Sequence, residues 1–538
     1  MFVENFRQGV TPREGQKYIL SQIESLIKSG HTQIIISAPT GIGKSHVAKA
    51  IADTLGEAFI ITSTKLLQDQ YKSDFIELKS IKGKSNFECR QLMEKSHIED
   101  KARALLKGLT CDKGRCIIKE NGKIVSSCEY REPRGDGKQC VYYKQKDAGL
   151  AYNQTILNYA MYFYLKAYQS DLPGVDRRVI IFDEAHTIEN EVVRFIGYDV
   201  WGSYLMETGL DQKNFELESI DGMLDLLESL QVGYKDMLQQ NSKPNTPKEI
   251  MAQKRMEQRL DGIVAASREI RTNSQNFIMQ EPEFDNQGSL RRVSVAPLDI
   301  SRYTKELFDS EIQVYMSATI DKKNFSRIMG FQDCGFIDVP KSPFLPQNRR
   351  IGFNNVARLS SRSPESDDVA VAKVIDSIMS MHPDSRGLIL TSSKYRCHSL
   401  QKRLSSEQAR RIQLAHSKNE DNSTIDEVLK YHSEMPNGVL LSSSLWQGID
   451  LKGDLSRFQI IEKCPYPYLG DRRVKAKTQA NRSWYIYQTI IKLLQGFGRS
   501  VRDSDDYATT YVMDSSVQSL LNQNKDMIPA AYHDVLFS

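Results

Sequence analysis

Gln33-Ile34-Ile35-Ile36-Ser37-Ala38-Pro39-Thr40-Gly41-Ile42-Gly43-Lys44-Ser45 is the stretch on which the fold turns. Three consecutive isoleucines are stiff at χ1 and fit a buried strand. The Gly-containing turn then breaks the run, and residues 46–55 return to helical spacing. Strand, loop and helix in that order make a phosphate-binding unit. Residues 38–45 fit its loop pattern, with Ala38 at the first glycine position. In such a loop the backbone around Ala38, Pro39, Thr40, Gly41, Ile42 and Gly43 wraps phosphates. Lys44 reaches the β/γ-phosphates, and the Ser45 hydroxyl binds Mg²⁺.

Further apolar runs lie at residues 59–62, 178–182 and 312–316. The second ends at Asp183-Glu184-Ala185-His186 and the third at Ser317-Ala318-Thr319. Apolar strands with polar residues at their C-terminal ends predict an α/β fold around a parallel sheet covered on both faces. Ligands bind such sheets at those ends. A second α/β pattern follows Pro343, with strands expected at 387–392, 438–442, 458–461 and 510–514.

The gaps inside the first pattern are too long for ordinary connections. Residues 79–146 and 191–290 therefore read as insertions. The second reads as mostly helical: Thr246-Pro247-Lys248-Glu249 is a capping box with proline at the first helical position. The first carries seventeen Lys/Arg against nine Asp/Glu and five of the eight cysteines.

Composition narrows the class. The 538 residues are 40% hydrophobic and 26% charged, which excludes wholesale disorder. A net charge of +4 is too small for a polybasic binder, so any nucleic-acid surface must be local. No run of about 18 apolar residues occurs, so no membrane span is expected. The start, MFVENFRQGV, carries an acid and has no apolar core, so it is not read as a secretory signal. Eight cysteines are too sparse for a disulfide scaffold.

Asp183 is placed to anchor Mg²⁺ and Glu184 to orient or deprotonate an attacking water. His186 can couple that site to its neighbours. In Gln495-Gly496-Phe497-Gly498-Arg499-Ser500-Val501-Arg502, the i, i+3 spacing predicts Arg499 and Arg502 on one helix face. Across a cleft from Lys44 they would act as arginine fingers. Four cysteines with one short Cys111/Cys116 gap suit zinc or an iron–sulphur cluster equally by spacing, and inert thiols remain a third reading. Tyr130, Tyr142, Tyr143 and Phe87 offer stacking faces among basic residues, although packing is the commoner use of such rings. Arg472, Arg473, Lys475 and Lys477 read as a solvated basic face.

Taken in order, residues 38–45, Asp183-Glu184-Ala185-His186, Ser317-Ala318-Thr319, Trp446-Gln447-Gly448-Ile449-Asp450 and Gln495 through Arg502 resemble a superfamily 2 DEAH helicase. The cysteine segment, with Cys140-Val141-Tyr142-Tyr143 at its end, resembles the XPD/DinG iron–sulphur helicases. Pro12-Arg13-Glu14-Gly15-Gln16, Gly83 through Cys89, Pro297-Leu298-Asp299 and Ser342-Pro343-Phe344 extend the match. The resemblance implies two RecA-like motor domains, the first from 1–78, 147–190 and 291–345 and the second from 346–538. Residues 79–146 would be an iron–sulphur domain and 191–290 an Arch domain. It implies ATP with Mg²⁺, adenine read by Arg13 and Gln16, and nucleotide contacts from Gly448 and Asp450. Lys44, Asp183, Glu184, His186, Gln495, Arg499 and Arg502 would be catalytic.

The resemblance further implies a 4Fe–4S cluster on Cys89, Cys116, Cys128 and Cys140, with Cys111 as the alternate to Cys116. The expected activity is 5′→3′ translocation on single-stranded DNA and unwinding of forked DNA, in repair. Repair-complex proteins are expected partners, and the membrane is not. The expected setting is cytoplasmic and nucleoid-associated, in a prokaryotic or viral source. Gln447 departs from the family, which usually has Glu before the glycine at 448.

Overall fold

The computed structural model describes residues 2–6, 10–120, 123–132, 139–240, 246–360, 362–415, 424–503 and 505–537. Seven parallel strands form the first sheet in the order Gly335–Asp338, Gln33–Ser37, Ile312–Ser317, Val179–Phe182, Ala58–Thr62, Gln154–Asn158, Lys79–Ser80. Ala58–Thr62 follows the phosphate loop in sequence but not in space. Ile312–Ser317 and Val179–Phe182 lie between them, which sets residues 183–186 and 317–319 beside the loop. Ser37 is in register with Ser317, and Tyr315 with Phe182.

The isoleucine-rich strands are buried on both faces, as their lack of alternation requires. One face holds Phe59, Phe182, Tyr315 and Phe308; the other holds Ile34, Ile36, Ile60 and Ile181. A six-stranded parallel sheet makes the second lobe, in the order Arg349–Ala357, Ala508–Asp514, Phe458–Ile461, Gly387–Leu390, Val439–Ser442, Ile412–Leu414.

The segment expected to be mostly helical has two long helices, Ile220–Gln240 and Pro247–Thr272, the latter capped by Thr246 and Glu249 as its sequence predicts. It also has an antiparallel sheet of Tyr198–Trp201, Leu290–Pro297, Phe277–Met279 and Glu283–Phe284. Val293 and Val295 alternate inward along the strand that leaves the segment, so its apolar core runs on to about Pro297. In the cysteine segment a hairpin, Ile117–Glu120 with Lys123–Ser127, brings Cys116 and Cys128 together, and Cys128 N donates to Cys116 O at 3.0 Å.

The lobes meet along Arg482–Phe497. One side of this helix, through Trp484, Tyr487 and Ile491, enters the first lobe's core. The other side, through Ile490, Leu493, Leu494 and Phe497, enters the second lobe's core. Burial on two faces explains why a sixteen-residue helix hides ten of its residues. Among the described residues no helix is long and apolar enough to cross a membrane.

Candidate nucleotide cleft and cysteine cluster

The phosphate loop joins Gln33–Ser37 to the helix Lys44–Leu55. Gly41 and Gly43 hold φ of 79° and 83°, which L side chains rarely adopt. Space forbids a side chain as well: a Cβ at Gly41 would stand 2.1 Å from the Phe344 ring. The loop leaves the first N–H groups of the helix facing the cleft, where the positive end of the helix dipole favours an anion. Lys44 Nζ rests 3.5 Å from Ala38 O and Ser45 Oγ 3.5 Å from His46 Nδ1.

Arg13 and Gln16 brace the loop from outside. Arg13 donates to Gly41 O at 2.8 Å, Gln16 donates to Gly43 O at 3.4 Å, and Gln16 Oε1 accepts from Arg13 N at 2.8 Å. The two residues expected to read adenine are thus joined to each other and to the loop.

Asp183 ends the strand Val179–Phe182 and is buried. Tyr71 donates to its Oδ2 and Glu184 N to its Oδ1, each at 2.9 Å. Burial, then the Glu184 charge, pushes the Asp183 carboxyl up to about 6. Glu184 takes a left-handed φ of 52°, uncommon for a non-glycine residue. Burial raises its carboxyl too, but Lys44, His186, Arg499 and Arg502 outweigh that and hold it below the ordinary range. Glu184 therefore sees cations from both lobes. Its Oε2 is buried with no hydrogen-bond partner, 3.3 Å from His186 Nδ1. An orphan carboxylate oxygen on the residue after Asp183 fits a site that receives a cation and a water. Ser45 and Asp183 are the residues that would hold Mg²⁺, which supplies charge neutralisation between phosphates.

A polar chain crosses the cleft. His186 Nδ1 is 2.9 Å from Ser317 Oγ, which accepts from Thr319 N at 3.2 Å. Gln495 Nε2 donates to Thr319 Oγ1 at 2.9 Å, and Gln495 Oε1 accepts from Arg499 at 3.1 Å. Arg499 Nη1 also donates to Ile449 O at 2.8 Å, and Arg502 pairs with Asp450 at 3.3 Å. Desolvation, reinforced by Arg502, lowers the Arg499 guanidinium to about 10.

The expectation of two arginines on one helix face is corrected: the helix ends at Phe497, Gly498 caps it, and both arginines lie in the following loop. Two glycines in three residues weaken the helix there. Gly448 is exposed with φ of 85°, so Ile449 and Asp450 reach the arginines from a turn.

The basic run at 472–477 is corrected too. Arg473 is buried and Lys477 largely so. Both bond Glu189, at 2.7 and 2.5 Å, as do Trp484 Nε1 at 2.8 Å and Gln488 Nε2 at 3.2 Å. Glu189 stands three residues beyond His186, yet the sequence offered no sign of it. Only Lys475 of this run is exposed.

The five clustered cysteines share one apolar core. Cys111 Sγ lies 3.6 Å from Cys140 Sγ, and a Cβ at Gly114 would strike Cys89 Sγ at 2.5 Å. Cys89, Cys111, Cys116 and Cys140 are buried and Cys128 is half-buried. A buried set of thiols with a side-chain-free cradle suits a soft metal centre. Among the described residues, no group of three or more Cys, His, Asp or Glu is arranged to hold an ion. Tyr130, Tyr142 and Tyr143 are buried in this core, with Lys84, Arg131 and Lys146 over the Tyr143 ring, so they pack rather than offer stacking faces. Arg115 joins the segment to Glu257 of the long helix at 2.6 Å.

Two family models match the chain, a helicase C-terminal domain over residues 375–533 and the type III restriction enzyme res subunit over residues 9–204. The chain is 21% identical over 594 residues to the ATP-dependent DNA helicase YoaA of Escherichia coli (strain K12), covering 94% of this chain and 92% of that protein. It is 26% identical over 201 residues to the probable ATP-dependent helicase MJ0942 of Methanocaldococcus jannaschii, covering 34% of this chain and 29% of that one. A solved structure named XPD_Helicase aligns with TM-score 0.63 at 16% identity, over 96% of this chain and 98% of its own. Xpd4 of S. tokodaii aligns with TM-score 0.56 at 15% identity, over 96% and 99%.

Proposed function

The chain belongs to the XPD/DinG-like branch of superfamily 2, a family of ATP-dependent helicases, and from that premise we propose that it translocates 5′→3′ along single-stranded DNA and unwinds forked DNA in repair. The observation that carries this reading is the hydrogen-bonded chain from His186 through Ser317, Thr319 and Gln495 to Arg499, with Glu184 Oε2 standing 3.3 Å from His186 Nδ1 at its first-lobe end. It links the water-activating carboxylate of one lobe to an arginine of the other. Lys44 neutralises phosphate charge, Glu184 draws a proton from water, and Arg499 and Arg502 stabilise charge on the transferred group. Arg13 and Gln16 hold the loop and the base, while Gly448 and Asp450 hold the arginine loop.

Four of the five clustered cysteines hold a 4Fe–4S cluster in this reading. Such a centre fixes the fold of residues 79–146 into a wedge. Residues 191–290 serve as the Arch domain, and its Glu257 contact with Arg115 supports a closed path for one DNA strand. The protein works in the cytoplasm at the nucleoid, with repair proteins as partners.

The test uses matched duplexes bearing a 5′ or a 3′ single-stranded tail, with ATP and Mg²⁺. Unwinding of the 5′-tailed substrate alone, lost in Lys44→Ala, is expected. Unwinding of only the 3′-tailed substrate, or preference for an RNA-containing hybrid, would reject the reading.

A further inference from the structure

Tyr71 belongs to none of the motifs above, yet its hydroxyl donates to Asp183 Oδ2 at 2.9 Å. It lies on Lys65–Asp74, the helix after the second strand of the first sheet in sequence. Its ring is 2% exposed and packs in the apolar layer that also holds Phe75, Val47 and Ala48. A phenol is an O–H donor at neutral pH, and the Asp183 carboxylate is its acceptor here. Glu184 N occupies the other oxygen of Asp183. With one fixed donor on each oxygen, the plane of the carboxylate is set before any metal arrives. A carboxylate that must hold a metal gains from such support, because the ligand's orientation is then not bought from binding energy.

We propose that Tyr71 is a positioning residue for the metal: it orients the Asp183 carboxylate for the Mg²⁺ that accompanies the nucleotide. This rests on the assignment of Asp183 as a Mg²⁺ ligand. A second buried tyrosine offers an internal control. Tyr159 donates to the backbone oxygen of Asp183 at 3.2 Å and not to its side chain. Removing that hydroxyl costs a buried hydrogen bond at the same residue but leaves the carboxylate's two donors in place.

The experiment measures Mn²⁺ bound by the full chain with ADP, by electron paramagnetic resonance of the free ion, in Tyr71→Phe, Tyr159→Phe and Asp183→Asn. Tyr71→Phe should weaken Mn²⁺ binding by about tenfold. It should raise the Mg²⁺ needed for half-maximal ATPase by the same factor, and recover turnover at saturating Mg²⁺. Tyr159→Phe should bind Mn²⁺ as the unaltered chain does. Unchanged Mn²⁺ affinity in Tyr71→Phe, or an equal loss in Tyr159→Phe, would overturn the proposal. Asp183→Asn with full Mn²⁺ affinity would instead overturn the ligand assignment beneath it.

Discussion

Gln495 Nε2 donates across the lobe boundary to Thr319 Oγ1 at 2.9 Å, with both side chains buried. The same amide's oxygen accepts from Arg499 at 3.1 Å. One side chain thus fixes an arginine of the second lobe by reference to the first. An amide suits this place because it donates to Thr319 and accepts from Arg499 without carrying charge itself.

Gln495→Ala should therefore act on turnover rather than on nucleotide binding. In the proposed role as a finger, Arg499 freed from its acceptor would lose its placement, and a misplacement of about 1 Å is worth on the order of 10² in rate. Steady-state ATPase with single-stranded DNA should show kcat falling by about that factor at little change in KM. Thr319→Ala should cost less, and the double mutant should lose no more than Gln495→Ala, because the two share one interaction. Additive losses would break the chain at this link.

Arg499→Ala or Arg502→Ala should lower turnover by on the order of 10³ if each acts as a finger. The signature is loss of kcat with smaller loss of ATP affinity. Arg502, paired with Asp450 and less buried than Arg499, should show the milder effect on nucleotide-free stability. A loss confined to ATP affinity would make both arginines ground-state binders.

Glu189 gathers Arg473, Lys477, Trp484 and Gln488 of the second lobe in a buried contact. Its removal leaves two cations without their partner, so Glu189→Ala should cost about 3–5 kcal/mol. Burial raises the carboxyl's pKa, but Lys477 and Arg473 outweigh it and hold the group below its ordinary 4.5. The stabilisation is then complete above that pH and is lost as pH falls through the lower folded value. Thermal unfolding of the unaltered chain should become steeply pH-dependent below about 4.5, and Glu189→Gln should flatten that dependence. Equal slopes would show that Glu189 does not carry it.

These links were unequally legible in the sequence. The central strands could be read because Ile34-Ile35-Ile36 and Val179-Ile180-Ile181-Phe182 are continuous apolar runs. Lys79–Ser80 and Arg349–Ala357 could not, being respectively two residues long and broken by polar positions. The candidate residues of the loop and of 183–186 follow from strand ends and needed no long-range knowledge. Arg473 failed for the opposite reason: its partner Glu189 is 284 residues away, and a charge without a visible partner reads as solvated. Tyr71 was hidden similarly, since nothing local says that a buried phenol meets an aspartate 112 residues on.

The cysteines were legible as a group but not as a set of four. The family resemblance implies Cys89, Cys116, Cys128 and Cys140, with Cys111 as the alternate to Cys116. The fold puts Cys111 Sγ within 3.6 Å of Cys140 Sγ and leaves Cys128 the least buried of the five. A cluster held by four buried thiols would use Cys111 and spare Cys128, whose carbonyl-bonded backbone already anchors the hairpin through Cys116. Single Cys→Ser variants of the full chain, purified anaerobically, decide the matter by visible absorption with iron, sulphide and zinc analysis. Cys89→Ser, Cys111→Ser, Cys116→Ser and Cys140→Ser should each lose iron and strand separation, while Cys128→Ser keeps both. Basal ATPase should persist throughout, because Lys44, Glu184 and Arg499 belong to the two lobes and not to this segment. Bleaching by Cys128→Ser with colour retained in Cys111→Ser would restore the set that the family resemblance implies. Iron and unwinding retained in all five would remove the cluster from this protein's chemistry, and stoichiometric zinc would replace it.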